Sequence, residues 1–131
     1  LVGDLLATQA KVHGAAALLV DASVRDVEEL REMGLPIWTR WVRVKGAAKD
    51  ELGEIDVPVT VGGALIRPGD LLVLDADGVA VVEAERVDEV LAASREREQR
   101  EAIKRERLQG GALSWEIDGL KGKFSEGGDR A

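Results

Sequence analysis

Gly3-Asp4-Leu5-Leu6-Ala7-Thr8, Ala17-Leu18-Leu19-Val20-Asp21 and Ser23-Val24-Arg25-Asp26-Val27-Glu28-Glu29-Leu30 succeed one another at the start of the chain. The first reads as a turn feeding a helix, with Asp4 near its N-cap. The second is an apolar run of the kind found in a strand covered on both faces. The third opens a second helix. Twenty residues separate Asp4 from Arg25, and each end of that interval is a helix start. Successive helix starts at one edge of a sheet would gather two carboxylates and a guanidinium, a set suited to a hard divalent cation and an anionic ligand.

Working outward, Leu5, Leu6, Gln9 and Val12 recur at helical spacing over residues 4–13, and His13-Gly14 supplies a stop. Asp26 to Met33 reads as a short helix ended by Gly34, and Pro36 to Val42 as a second strand. Helix, strand, helix, strand predicts a parallel sheet. Residues 43–56 are polar and read as an excursion. Val57 to Val61, Ala64 to Ile66, Leu71 to Leu74 and Val79 to Val82 are short strands. Gly62-Gly63, Pro68-Gly69-Asp70 and Asp75-Ala76-Asp77-Gly78 supply the turns of an antiparallel meander. Glu85 to Gln109 reads as one long helix. Ten of the fourteen residues from Ser94 to Arg107 are charged. The plain reading is a solvated face with i,i+4 ion pairs. Yet the stripe Val87, Leu91, Ser94 extends to Glu98, Glu101 and Arg105, and charges on a buried face need partners. Residues 110–131, with Trp115, Ile117, Leu120 and Phe124, read as a docking arm fraying at Gly127–Ala131.

The bulk numbers exclude several classes. The 131 residues suffice for one domain, 1–131. A net charge of −7 argues against a nucleic-acid footprint. The absence of cysteine rules out disulfides and thiolate zinc sites. No apolar run approaches the ~20 residues of a membrane span, and the cytoplasm is the expected location. Asp75-Ala76-Asp77-Gly78 lacks the acids of a calcium loop and reads as a turn. His13 reads as structural or surface. Trp38 and Trp41 read as packing or interface groups. Gly62-Gly63 without a GxGxxG does not make a dinucleotide site.

On Gly3-Asp4-Leu5-Leu6-Ala7-Thr8, Asp21-Ala22-Ser23-Val24-Arg25-Asp26-Val27, Val61-Gly62-Gly63, Arg67-Pro68-Gly69-Asp70 and Asp75-Ala76-Asp77-Gly78-Val79, the chain resembles the class II pyruvate aldolases. Within them it is most similar to the 4-hydroxy-4-methyl-2-oxoglutarate/4-carboxy-4-hydroxy-2-oxoadipate aldolases, of the superfamily that includes the regulator of ribonuclease E activity. The resemblance implies an α/β fold, a layered αββα sandwich. Family members carry a substantial segment ahead of the Gly-Asp-Leu-Leu motif, so the chain is expected to be the C-terminal portion of such a protein.

The resemblance further implies divalent-metal-dependent retro-aldol cleavage of a 4-hydroxy-2-oxo diacid to pyruvate and a 2-oxo acid, with oxaloacetate decarboxylation as a side activity. Mg²⁺, Mn²⁺ or Co²⁺ would be held directly by Asp26, and through water by Asp4 and Glu101. Arg25, with the backbone around Gly3, Leu5 and Leu6, would bind the substrate, and Asp4 and Arg25 would be catalytic. The residues alone do not assign the base. Glu101 would come from an adjacent subunit of a homotrimer or homohexamer, with Glu98 close enough to compete for the role. No nucleic acid or membrane partner is expected. The alternative is a non-catalytic protein-binding regulator, whose known members lack the Arg-Asp pair; a scaffold fragment is the third reading.

Overall fold

In the computed structural model, which describes residues 1–48, 50 and 52–120, helix α1 (Asp4–Val12) precedes strand β1 (Leu18–Val24), helix α2 (Val27–Met33) and strand β2 (Ile37–Val42). β1 and β2 pair in parallel, so α2 is the crossover that parallel pairing requires. Leu18, Leu19 and Val20 face Ile37, Trp38 and Thr39; the register then jumps, with Ser23 facing Trp41 and Val24 facing Val42. β1 therefore carries one extra residue there. Thr39 Oγ1 donates to the Ala22 carbonyl at 2.9 Å across this bulge. Asp21 is held by Arg40 at 3.0 Å and by the Gly62 N–H at 3.1 Å. A bulge re-aims the residues that come after it, here Ser23 to Asp26.

The strands that follow are antiparallel: β3 (Val59–Val61) with β4 (Ala64–Ile66), and β5 (Leu71–Leu74) with β6 (Val79–Val82). Each pair is a hairpin sheet of its own among the described residues, in place of a continuous meander. Asp75 Oδ1 accepts the Asp77 and Gly78 N–H groups at 2.8 and 3.2 Å. Asp70 accepts the Arg67 and Ala84 N–H groups at 2.8 and 3.2 Å. Both acids are spent on turns, as Asx chemistry predicts. Trp38 Nε1 donates to the Asp75 carbonyl at 2.8 Å, a packing role that ties β2 to the second hairpin.

Ala7, Val24, Leu30 and Leu35 are the buried residues among those described, with Val2, Leu18, Val27 and Ile37 against them. β1 is half-buried along most of its length, not covered on both faces. The Lys11 ammonium donates to the Met33 carbonyl, lashing α1 to α2. With so small a core, Leu30→Ala should cost about 2–4 kcal/mol, read as a lower midpoint in urea unfolding.

The chain divides into two compact units, Leu1–Ala84 and a second that begins at Glu85. The second holds a 3₁₀ turn (Ala84–Arg86 spans the join), α3 (Val87–Gln109) and α4 (Ser114–Ile117). α3 has no buried residue. Its charges pair along the helix, Arg97 with Glu101 at 2.7 Å and Glu96 with Arg100 at 3.7 Å. The solvated-face reading thus describes α3 within this chain. Phe124 and the frayed end at Gly127–Ala131 lie outside the described residues. Of the arm, α4 is tied back by Lys104 Nζ on both Asp118 oxygens at 2.7 Å and by Ser114 Oγ at 3.1 Å.

Hydrogen bonds from Lys104 and then Ser114 hold the Asp118 carboxyl below its usual range, and Arg97 does the same for Glu101. A depressed folded pKa gives stability that is present above the unfolded value and lost as pH falls through the folded one. The α4 tether should therefore persist at neutral pH and release only below the ordinary carboxylate range. Trp115 fluorescence titrated with acid should change there, and Asp118→Asn should give the released signal already at neutral pH and lack that transition.

Candidate active site

α1 starts without a side-chain cap; its N-cap is Gly3, and Asp4 is the first helical residue. A first-turn N–H has no partner inside its own helix. That of Asp4 donates to Asp26 Oδ2 at 3.2 Å, from a residue 22 positions away. Asp26 is itself the N-cap of α2, yet its side chain caps nothing in α2. Its backbone is left-handed, at φ 60° and ψ 46°. Asp is one of the few residues that visits this region. The conformation lets the Asp26 carbonyl accept the Leu30 N–H at 3.0 Å while the carboxylate turns toward α1. Strain of this kind collects at functional sites.

Arg25 Nε lies 3.4 Å from the same Asp26 oxygen. Backbone bonds fix both residues: the Arg25 N–H donates to the Val2 carbonyl at 3.0 Å, and the Val2 N–H to that of Ser23 at 3.1 Å. Gly3 makes the close approach possible. A Cβ there would stand 2.5 Å from Asp26 Oδ2 and 3.2 Å from Arg25 Nε. Gly3 is extended, at φ −127°. It is needed for space, not for a special backbone angle.

Two hollows meet at Arg25. One, of about 400 Å³, is lined by Gly3, Asp4, Leu5, Leu6, Gln9 and Arg25, among others. The other, of about 310 Å³, is lined by Arg25, Asp26, Val27, Val42, Arg43 and Val44. The larger and more apolar cavity, about 430 Å³ between α2 and β2, holds no acid. It is not where the chemistry-bearing residues converge.

The structure therefore brings Gly3, Asp4, Leu5, Leu6, Arg25 and Asp26 together. Glu101 belongs to the second unit, where it pairs with Arg97. Arg43 joins the second hollow although it falls in the stretch that reads as a polar excursion. Its signal is positional: it comes directly after Val42, the register partner of Val24.

Among the described residues no three His, Cys, Asp or Glu side chains form a ready metal cluster. The donor set at the site is all oxygen and acidic, and Asp26 keeps a third of its side chain open. That fits a hard cation that retains most of its waters, such as Mg²⁺, and not a caged transition metal.

The RraA-like family profile, described as Aldolase/RraA, matches residues 1–81. The chain belongs to the RraA-like family. It is 39% identical over 82 residues to the 4-hydroxy-4-methyl-2-oxoglutarate aldolase of Thermus thermophilus, covering 63% of this chain and 50% of that protein. Streptomyces coelicolor RraAS2, described as an unusual member of the RNase ES inhibitor RraA protein family, superposes with a TM-score of 0.72 at 39% identity, covering 80% and 54% of the two chains. An uncharacterized protein of Pseudomonas syringae gives a TM-score of 0.76 at 29% identity, covering 85% and 56%. The RraA-like chain spans about half the length of the curated relatives it matches. No described helix is long and apolar enough to cross a membrane.

Gly3→Ala should push the Asp26 carboxylate and Arg25 off each other with little loss of stability, because the atoms that must move belong to partly exposed side chains. The Arg25 Nε–H resonance should shift in NMR spectra, while the helix signal in circular dichroism stays near that of the parent.

Proposed function

We propose that this chain carries the catalytic constellation of a divalent-metal-dependent pyruvate aldolase, a carbon–carbon lyase that cleaves a 4-hydroxy-2-oxo diacid to pyruvate and a second 2-oxo acid. The observation that carries the reading is Asp26, held in a left-handed turn between the Asp4 N–H and Arg25. The aldolase named among its relatives supports it.

Asp26 would hold the cation directly, with Asp4 in the surrounding water and Glu101 of a neighbouring copy completing it in a homotrimer or homohexamer. Bound there, Mg²⁺, Mn²⁺ or Co²⁺ supplies Lewis-acid chemistry toward a 2-oxo acid. The N–H groups of Leu5 and Leu6, in the first turn of α1 and lining the hollow, receive the carboxylate beside the carbonyl. Arg25 binds the neighbouring oxygens and offsets negative charge as the C3–C4 bond breaks. Asp4 orients the water that takes the C4 hydroxyl proton and returns a proton to C3. Oxaloacetate, which yields the same enolate, is the expected side substrate, and the cytoplasm the expected location.

Asp26→Asn is the sharpest test, because Asn tolerates the same left-handed backbone. Pyruvate release from 4-hydroxy-4-methyl-2-oxoglutarate, coupled to NADH oxidation, should fall on the order of a hundredfold. A chelator should abolish it in the parent. Near-parent turnover in Asp26→Asn would sink the mechanism. The similarity to RraAS2 favours a second reading, a protein-binding regulator without catalysis. It predicts no pyruvate release and co-elution with a purified ribonuclease E-type enzyme.

A further inference from the structure

Arg43 is the one cation at the second hollow that the proposed mechanism leaves without a task. Its N–H donates to the Val24 carbonyl at 2.9 Å, so it sits at the end of β2 directly beside the β1 end that carries Arg25. Ligands of parallel α/β sheets bind outside these carboxyl ends. Its guanidinium lies 5.0 Å from the centre of the Trp41 ring. Among the described residues no carboxylate is within ion-pairing distance of it, whereas Arg25, Arg40 and Arg67 each have one. Stacking on Trp41 holds the group in place without neutralising it. The hollow it shares with Arg25 and Asp26 has otherwise apolar walls, Val27, Val42 and Val44.

From this we infer that Arg43 is a specificity-determining residue, which binds the second, distal carboxylate of a dicarboxylic 2-oxo acid. The inference rests on the proposed 2-oxo acid site and assigns the group that reads the second carboxylate. Arg25 lines both hollows. The 2-oxo acid head occupies the side toward α1, and the far end of a diacid passes Arg25 to reach Arg43. Arg43 is exposed, and a guanidinium with no carboxylate of its own rewards a carboxylate and gives a methyl group nothing comparable.

The test is calorimetric and does not need turnover. 2-Oxoglutarate and 2-oxopentanoate have the same length and head and differ only in the terminal carboxylate. In Mg²⁺ buffer the parent chain should bind 2-oxoglutarate more tightly. Arg43→Gln should weaken that binding about three- to fivefold, leaving 2-oxopentanoate unchanged. Arg67→Gln, which removes an exposed guanidinium that pairs with Glu83 and lines neither hollow, should alter neither. Unchanged melting of Arg43→Gln shows that the fold is retained. Equal parent affinities, or an Arg43→Gln variant that loses both ligands equally or neither, overturn the inference and leave the aldolase reading standing. A parent that binds neither acid overturns both.

Discussion

One hydrogen bond across 22 residues, from the Asp4 N–H to Asp26 Oδ2, organises the site. It spans two helix starts that have no capping side chains of their own. The bond satisfies an orphan donor of α1 with a charged acceptor, and the positive end of the helix stabilises that charge. In exchange, the carboxylate is denied to α2. The left-handed backbone at Asp26 and the missing side chain at Gly3 are the two steric conditions for this trade. A Cβ at position 3 would take the oxygen's place. A backbone in the right-handed region at position 26 would not present the carboxylate in the same way.

The bulge in β1 is the deeper cause. Side chains alternate along a strand, so one extra residue changes which face every later residue addresses. Asp21 and Thr39 stabilise the irregularity from opposite strands, Asp21 by accepting from Arg40 and Gly62 and Thr39 by donating to Ala22. Neither touches the site. Both help decide where Arg25 and Asp26 emerge from the sheet. Motif spacing along the chain thus depends on a packing feature that lies between the motif residues.

The order of elements is legible because Gly and Pro punctuate it: Gly14, Gly34, Gly62-Gly63 and Gly110-Gly111 fall at or beside element ends. The convergence of positions 4, 25 and 26 comes from two helix starts at one sheet edge. The end of β1 is less legible. Its apolar run stops at Asp21, yet the strand continues to Val24, because ladder bonds and the bulge carry the polar residues. Gly3 reads as a turn glycine, and no sequence pattern distinguishes a glycine needed for space from one needed for φ. The stripe on α3 suggests partners for Glu101. Neighbours one turn away supply such a partner in Arg97. Arg43 carries no motif of its own, because strand register, not sequence distance, places it beside Arg25.

Every buried residue among those described, Ala7, Val24, Leu30 and Leu35, lies in or just after α1, β1 and α2. These are the elements whose ends form the site. The hairpins β3–β4 and β5–β6 expose much of their apolar surface, Val59, Leu65, Leu71 and Val73 included. The best-packed part of the first unit is therefore the part that holds Asp26 in a strained conformation. Left-handed geometry at a non-glycine residue persists only where surrounding contacts over-determine it. Here they do so from several directions: Val24 buried before it, Leu30 bonded to its carbonyl, and the Val2–Val24 bridge, with the Arg25 N–H on the Val2 carbonyl, beside it. The small core lies in the elements whose ends form the site. For the same reason, a change in that core should be felt first in the position of one carboxylate.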